Sequence, residues 1–210
     1  GQACTAGSRV YIHEKIYDKV LEGAVEKLSK LKMGNALDEK SDIGAIISEE
    51  QLKRTLYYMD IAKKNSSTKI LHGGNQSKGG EYKDGFYYQP TLLSGLPVSS
   101  LVCQEEVFGP VACAIPFKSF DEVMKSANDT QFGLSAVLWT KDLSRALQFV
   151  DEIEAGFVQV NQCVAPRANV SYGGIKMSGL GKEYAFDSMM NHFTQSKTVL
   201  INRGKSNIDN

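Results

Sequence analysis

An α/β fold built on a parallel sheet is the architecture this sequence predicts, and three observations carry it. Residues 111–117 form an unbroken apolar run, as strands covered on both sides in parallel sheets do. That run opens an alternation: a helix-periodic stretch from Ser119, a strand at 135–140, a second helix-periodic stretch at 143–153 and a strand at 157–161. The punctuation fits, because Ser119 with Glu122 makes a capping box and Gly156 stops the second helix. The β-α-β-α-β order implies parallel strands joined by right-handed crossovers. Ligands of such sheets gather beyond the carboxyl ends of the strands, and Asn161-Gln162-Cys163 sits at one such end.

The remaining elements follow in order. Residues 9–13 alternate and are rich in β-branched and aromatic side chains, which predicts a strand. Residues 16–32 predict a helix whose face is Ile16, Val20, Ala24, Leu28 and Leu31, ended by Gly34. A polar loop at 35–42 precedes a second helix that ends near 65–67. Ser48 and Gln51 supply its capping box, Ile47 and Leu52 a hydrophobic staple, and Leu52, Leu56 and Met59 its buried stripe. A short strand at 69–71, a glycine-rich loop at 73–85 and extended chain at 86–93 follow. In the first crossover helix Phe120, Val123, Met124 and Ala127 share a face; in the second Leu143, Ala146, Leu147, Val150 and Ile153 do. Residues 167–182 are irregular and rich in glycine, 183–191 predict a short helix, 197–202 a last strand, and the rest is a polar tail.

Bulk properties narrow the function. Twenty-four basic and 24 acidic residues cancel, so no basic field exists to hold a phosphate backbone, and nucleic acid is excluded as the expected partner. No apolar run approaches the roughly 20 residues that span a bilayer, so no membrane partner is expected. The chain has four cysteines (Cys4, Cys103, Cys113, Cys163) without a C-x-x-C pair, and three scattered histidines, so no metal site is expected. Cysteines in this pattern suit a reducing setting, the cytoplasm or an organelle matrix.

Chemistry concentrates at the start. Cys4 stands among small residues, with Gly1 and Gly7 to let the backbone turn and Arg9 as the nearest cation, which favours a thiolate if it folds back. The alternative on residues alone is an ordinary buried thiol. Residues 105–110 place Glu105 and Glu106 before an aromatic and a Gly-Pro turn; on residues alone this is a solvated acidic loop with Phe108 in the core. Gly173, Gly174, Gly179 and Gly181 do not form a dinucleotide fingerprint. Gly179-Leu180-Gly181 leads to Tyr184 where a third glycine is required, and no strand runs directly into it.

Three stretches nonetheless resemble one family. Gly1-Gln2-x-Cys4-x-Ala6-Gly7-Ser8-Arg9-Val10, Gln104 through Val111, and Tyr172-Gly173-Gly174-x-Lys176-x-Ser178-Gly179-x-Gly181-x-Glu183 occur in the order and at the separations of the aldehyde dehydrogenase superfamily. The resemblance runs from Gly1 to about Val199. It implies the catalytic, C-terminal domain of such an enzyme over 1–196: a parallel sheet with helices on both faces, then an oligomerisation strand at 197–203 and a polar tail at 204–210. It implies that Cys4 is the nucleophile, that Glu106 hydrogen-bonds the ribose next to the nicotinamide of NAD or NADP, and that Phe108 lies against the nicotinamide. Glu105 inherits neither role. Tyr172 takes an aromatic position lining the aldehyde tunnel, where the family often has phenylalanine, and Asn161 a positional role near the site. Ala3 and Thr5, beside the sulfur, are expected to help wall the substrate pocket. Cys103, Cys113 and Cys163 are read as bystanders.

The implied reaction is oxidation of an aldehyde to a carboxylic acid through a thiohemiacetal and a thioester on Cys4. The Cys4 backbone N–H offers one oxyanion donor. The family's general base, a glutamate in an Glu-Leu-Gly-Gly-Lys-like motif, and its oxyanion-hole asparagine belong upstream and do not occur in this sequence, nor does the dinucleotide-binding half. The isolated chain is therefore expected to be inactive, the parent a homodimer or tetramer. Two other readings stand beside this one: a cysteine esterase or acyl-transferase with His13 as base, and a non-catalytic oligomerisation fragment whose last strand seeks a partner.

Overall fold

The computed structural model describes residues 1–202, and its elements track the pattern and the caps. β1 (Arg9–His13) passes through a single 3₁₀ turn (Glu14–Ile16) into α1 (Tyr17–Ser29). α2 (Glu49–Lys64), β2 (Lys69–His72), β3 (Thr91–Ser94), α3 (Leu101–Gln104), β4 (Val111–Phe117) and α4 (Phe120–Asn128) follow. Then come β5 (Phe132–Gly133), β6 (Ser135–Leu138), α5 (Leu143–Glu152), β7 (Phe157–Val160), β8 (Ile175–Lys176) and α6 (Phe186–Phe193).

The main sheet has the order β1-β4-β3-β2. β4 pairs in parallel with β1 on one side and β3 on the other, and β2 closes the edge antiparallel. Strand pleating then sorts side chains by parity. Tyr11, Leu93, Cys113 and Ile115 face α2 and α3, meeting Leu52, Tyr58, Met59 and Val102. Ile12, Leu92, Ala112 and Ala114 face α1, meeting Tyr17, Leu21, Ala24, Val25 and Leu28. Both faces of the sheet are thus covered by helices, which explains the unbroken apolar run of β4. A groove of about 420 Å³ lies between α1 and β2, along Leu21, Val25 and Leu71, on the face opposite α2.

Four expectations are corrected. First, β6 and β7 pair with each other in parallel and form their own ladder, not neighbours of β4 in one sheet. The alternation of elements predicts parallel pairing but holds no information on which strands become neighbours. Second, α1 packs Tyr17, Leu21, Ala24, Val25 and Leu28 half-buried against the sheet, while Ile16, Val20 and Leu31 of the expected stripe are exposed. Third, Ser48 does accept from the Gln51 N–H at 3.2 Å, but the Gln51 side chain does not bond back, and Ile47, 80 % exposed, makes no staple. Fourth, α5 buries Ala146 and Phe149 and leaves Leu143, Leu147 and Val150 exposed.

Residues 197–202 carry no ladder with the rest of the described chain and are exposed; residue 203 of the expected strand and the tail at 204–210 lie outside the described residues. No helix among the described residues is long and apolar enough to cross a membrane, and no group of three or more His, Cys, Asp or Glu side chains there is placed to hold a metal ion.

Candidate active site

Cys4 sits on a tight turn. The Ala6 N–H donates to the Ala3 carbonyl at 2.9 Å, which makes Cys4 and Thr5 the two central residues. Three ties hold the turn against the sheet. Gln2 Oε1 accepts from the Ile47 N–H at 2.9 Å, the Ser8 carbonyl accepts from the Cys113 N–H at 2.8 Å, and Gly1 backs onto the Gly109 carbonyl so closely that a Cβ would collide with it. Of the two flanking glycines, only Gly1 is required by space; a Cβ on Gly7 would meet nothing within 4 Å.

The sulfur opens into a cleft of about 520 Å³ whose other walls are Leu134 and the glycine-rich 172–183 segment, with His192 of α6 at its side. Cys4 Sγ lies 3.2 Å from the Tyr172 hydroxyl, across 168 residues of sequence. The Tyr172 ring packs edge-on against Phe157 (5.3 Å between centroids) and Tyr184 (5.7 Å). Its backbone exchanges both hydrogen bonds with Glu183, at 3.0 and 2.7 Å. Burial first, then the bond to Cys4, pushes the Tyr172 phenol up to about 12. The neighbouring Gly173 carbonyl accepts from Lys182 Nζ at 2.5 Å, which pins the loop. Of the glycines in this segment, Gly173 and Gly174 serve close backbone packing, since a Cβ on either would collide with Gly181 or Ser178, whereas Gly179 and Gly181 have room for one. Ala3 and Thr5 flank Cys4 in the turn but do not line this cleft.

Arg9 does not fold back toward Cys4. Its guanidinium donates to the Ala127 and Ser126 carbonyls at 3.1 and 3.4 Å, at the C-terminal end of α4, and to the Tyr11 hydroxyl at 3.0 Å. A cation at a helix C-terminus is favoured by the exposed carbonyls there, and that pull decides its position. The proposed base of a Cys–His pair fails likewise. His13 Nδ1 accepts from the Lys15 N–H at 3.2 Å, and its ring packs against Phe117 at 5.3 Å.

The acidic segment is held by α2. Gln51 Nε2 donates to the Val107 and Phe108 carbonyls at 2.9 and 2.8 Å, and the Arg54 guanidinium donates to the Glu106 carbonyl at 3.1 and 2.5 Å. These bonds fix the backbone while leaving the side chains free. Phe108 adopts the left-handed region at φ 52, rare for an aromatic residue and a conformation the surrounding bonds must hold in place. Its ring is half-buried, so it is not the core residue that composition alone suggested. The two carboxylates part company here. Glu105 accepts from the Tyr58 hydroxyl at 2.6 Å, whereas Glu106 is exposed and enters no ion pair among the described residues. A free carboxylate beside a half-exposed aromatic ring suits a ribose diol and a flat heteroaromatic ring, so the residues present fit a nicotinamide nucleotide.

Asn161 sits at φ 54, and its side-chain amide accepts from the Thr140 N–H and donates to the Thr140 carbonyl, both at 2.8 Å. It ties the ends of β6 and β7 together. Cys103 and Cys113 are buried and Cys163 is exposed, all three free thiols.

A family model described as the aldehyde dehydrogenase family matches residues 1–199. The chain belongs to this family. It is 40% identical over 201 residues to an aldehyde dehydrogenase of Rhodospirillum rubrum, covering 96% of this chain and 39% of that protein. It is 38% identical over 201 residues to aldehyde dehydrogenase B of Escherichia coli, with the same coverage. The NAD+ complex of an aldehyde dehydrogenase from Bacillus cereus superposes with a TM-score of 0.90 at 31% identity, over 97% of this chain and 40% of that one. The betaine aldehyde dehydrogenase of Staphylococcus aureus in complex with NAD+ gives 0.87 at 32% identity, over 90% and 38%. The chain thus spans about two fifths of the length of these aldehyde dehydrogenases.

Sequence reasoning missed Gln51, Arg54, Lys182 and His192. Gln51 was visible only as half of a capping box, and its real partners lie more than fifty residues away. Lys182 and His192 had no local pattern to betray them: Lys182 bonds carbonyls nine and 26 residues away, and His192 reaches the cleft from α6.

Proposed function

We propose that residues 1–196 are the catalytic domain of an NAD- or NADP-dependent aldehyde dehydrogenase and that Cys4 is its nucleophile. One observation carries the reading: a thiol on a two-residue turn, opening into a cleft and hydrogen-bonded by a phenol, in a chain whose fold matches that family. The Cys4 sulfur adds to the aldehyde carbon, and the carbonyl oxygen becomes an alkoxide beside the Cys4 N–H. A nicotinamide bound there would supply the hydride acceptor. The thioester left on Cys4 is then hydrolysed to the acid. Glu106 would bind the ribose hydroxyls and Phe108 the nicotinamide face, both on a backbone fixed by Gln51 and Arg54. Tyr172 borders the substrate channel, and Ala3 and Thr5, small and set in the turn beside the sulfur, leave room for a fairly wide acyl group. The setting is a reducing one, cytoplasm or organelle matrix, in keeping with four free thiols. The parent is a homodimer or tetramer that pairs through 197–203.

The isolated chain, lacking the upstream glutamate motif, is expected to produce no NADH from an aldehyde and NAD+. Production of NADH by the pure chain at a rate abolished by Cys4→Ser would overturn that expectation. The nucleophile itself is tested by alkylation with iodoacetamide at pH 7.5 and peptide mapping. Cys4 is expected to label several-fold faster than Cys163, and equal rates would refute it.

A second reading, a cysteine-dependent esterase, has its own observation: His192 lines the cleft into which Cys4 opens. Hydrolysis of p-nitrophenyl acetate that is lost in both Cys4→Ser and His192→Ala, yet kept in His13→Ala, would favour it.

A further inference from the structure

We propose that the Tyr172 hydroxyl is a further catalytic group, donating its proton in a hydrogen bond to the Cys4 sulfur and so stabilising the thiolate before substrate arrives. This rests on Cys4 being the nucleophile, and it assigns Tyr172 a role beyond lining the channel.

The geometry argues for it in three ways. The oxygen lies 3.2 Å from the sulfur, hydrogen-bond distance for so large an acceptor. The ring cannot easily turn away, because Phe157 and Tyr184 hold it edge-on and Glu183 brackets its backbone on both hydrogen bonds. Among the described residues no cation takes the place of the phenol. Arg9 is spent on α4, and Lys182 on the Gly173 and Gly156 carbonyls. Among the described residues, the other charged or titratable groups facing this point are Glu183, Tyr184 and His192. A phenol held near 12 keeps its proton at both neutral and moderately alkaline pH, so it remains a donor over that range.

The bond has two opposed effects. It favours the thiolate, by roughly tenfold for a bond to a charged acceptor. It also draws on the lone pair that attacks, and nucleophilicity falls by about threefold for the same stabilisation. At neutral pH the gain in thiolate outweighs the loss of nucleophilicity; at alkaline pH only the loss remains. Tyr172→Phe should therefore make Cys4 slower at neutral pH and faster at alkaline pH, a crossing that simple loosening of the cleft cannot produce.

The test uses the 210-residue chain carrying Cys163→Ser, with Cys103 and Cys113 buried, and the aromatic disulfide 2,2′-dithiodipyridine. The thiolate attacks the S–S bond, forms a mixed disulfide with one half and expels the other as 2-thiopyridone, which is read by absorbance. Tyr172→Phe is expected to react about twofold slower at pH 7.5 and about threefold faster at pH 9.5, with unchanged circular dichroism. Superimposed profiles, or a shift of one sign at both pH values, would overturn the proposal while leaving the nucleophile in place. If Cys4→Ser leaves thiopyridone release unchanged, the nucleophile assignment falls and this proposal with it.

Discussion

Tyr88 shows how much a single atom can decide. Its side chain is 1 % exposed, and its hydroxyl has no hydrogen-bond partner in the described structure. Burial, with Asp60 adding to it, pushes the phenol up to about 12 from an ordinary 10. A folded-state value above the unfolded one means that the neutral form contributes stability fully below pH 10, and that this is lost as pH rises toward 12. Tyr88→Phe deletes an unsatisfied hydroxyl and keeps the ring. It is expected to raise stability by about 1 kcal/mol at pH 7 and to soften the alkaline loss between pH 10 and 12, read by urea titration at both ends. Part of that loss should persist, because Tyr58 is also pushed up to about 12, by burial and then by its bond to Glu105. Phe108 poses the opposite case. Its left-handed backbone costs on the order of 1 kcal/mol or more, and the carbonyl bonds to Gln51 hold it there.

At the scale of elements, α2 carries two jobs on adjacent stripes. Leu52, Thr55, Met59 and Ala62 are buried against the sheet, while Gln51 and Arg54 grip the carbonyls of 106–108. Gln51→Ala would leave two carbonyls without their donor. It is expected to cost about 1–2 kcal/mol and to increase proteolysis between Glu106 and Pro110, measured by thermal melting and limited digestion. Leu93→Ala, at the fully buried centre of β3, is expected to cost more, about 2–5 kcal/mol. The strands and helices themselves were legible because caps and apolar runs are local: β1 and β4 match expectation residue for residue. Faces were less legible. In α1 two stripes interleave at the same helical spacing, and only the position of β2, β3 and β4 selects Tyr17, Leu21 and Val25 over Ile16 and Val20. In α5 Ala146 of the expected stripe is buried, but Leu143, Leu147 and Val150 meet solvent. Leu147→Lys should accordingly change the stability of the chain by less than about 0.5 kcal/mol. The site was legible only through its resemblance to a family. Nothing local could reveal that Arg9 would turn to α4 or that Tyr172 would reach Cys4.

For the whole molecule, the sheet separates two apolar cores, and the site lies along an edge assembled from distant segments. Residues 197–202 hang exposed beyond it, with Leu200 93% and Ile201 79% accessible. An unpaired β-branched stretch of this kind is prone to pair with another chain. The chain is expected to sediment as a dimer or larger at micromolar concentration, and Leu200→Asp to shift it toward monomer; a wild-type monomer would remove the case for pairing there.

The 168-residue separation of Cys4 and Tyr172 has a temporal corollary. A ribosome releases the nucleophile long before it releases the phenol, so a nascent or refolding chain passes through a period with its sulfur unchaperoned by any donor. Bringing residues this remote in sequence together carries a loop-closure cost that nearer contacts escape. The thiol's neutral-pH reactivity should mature only after the sheet has formed, making it a clock for the final docking of one end of the polypeptide onto the other.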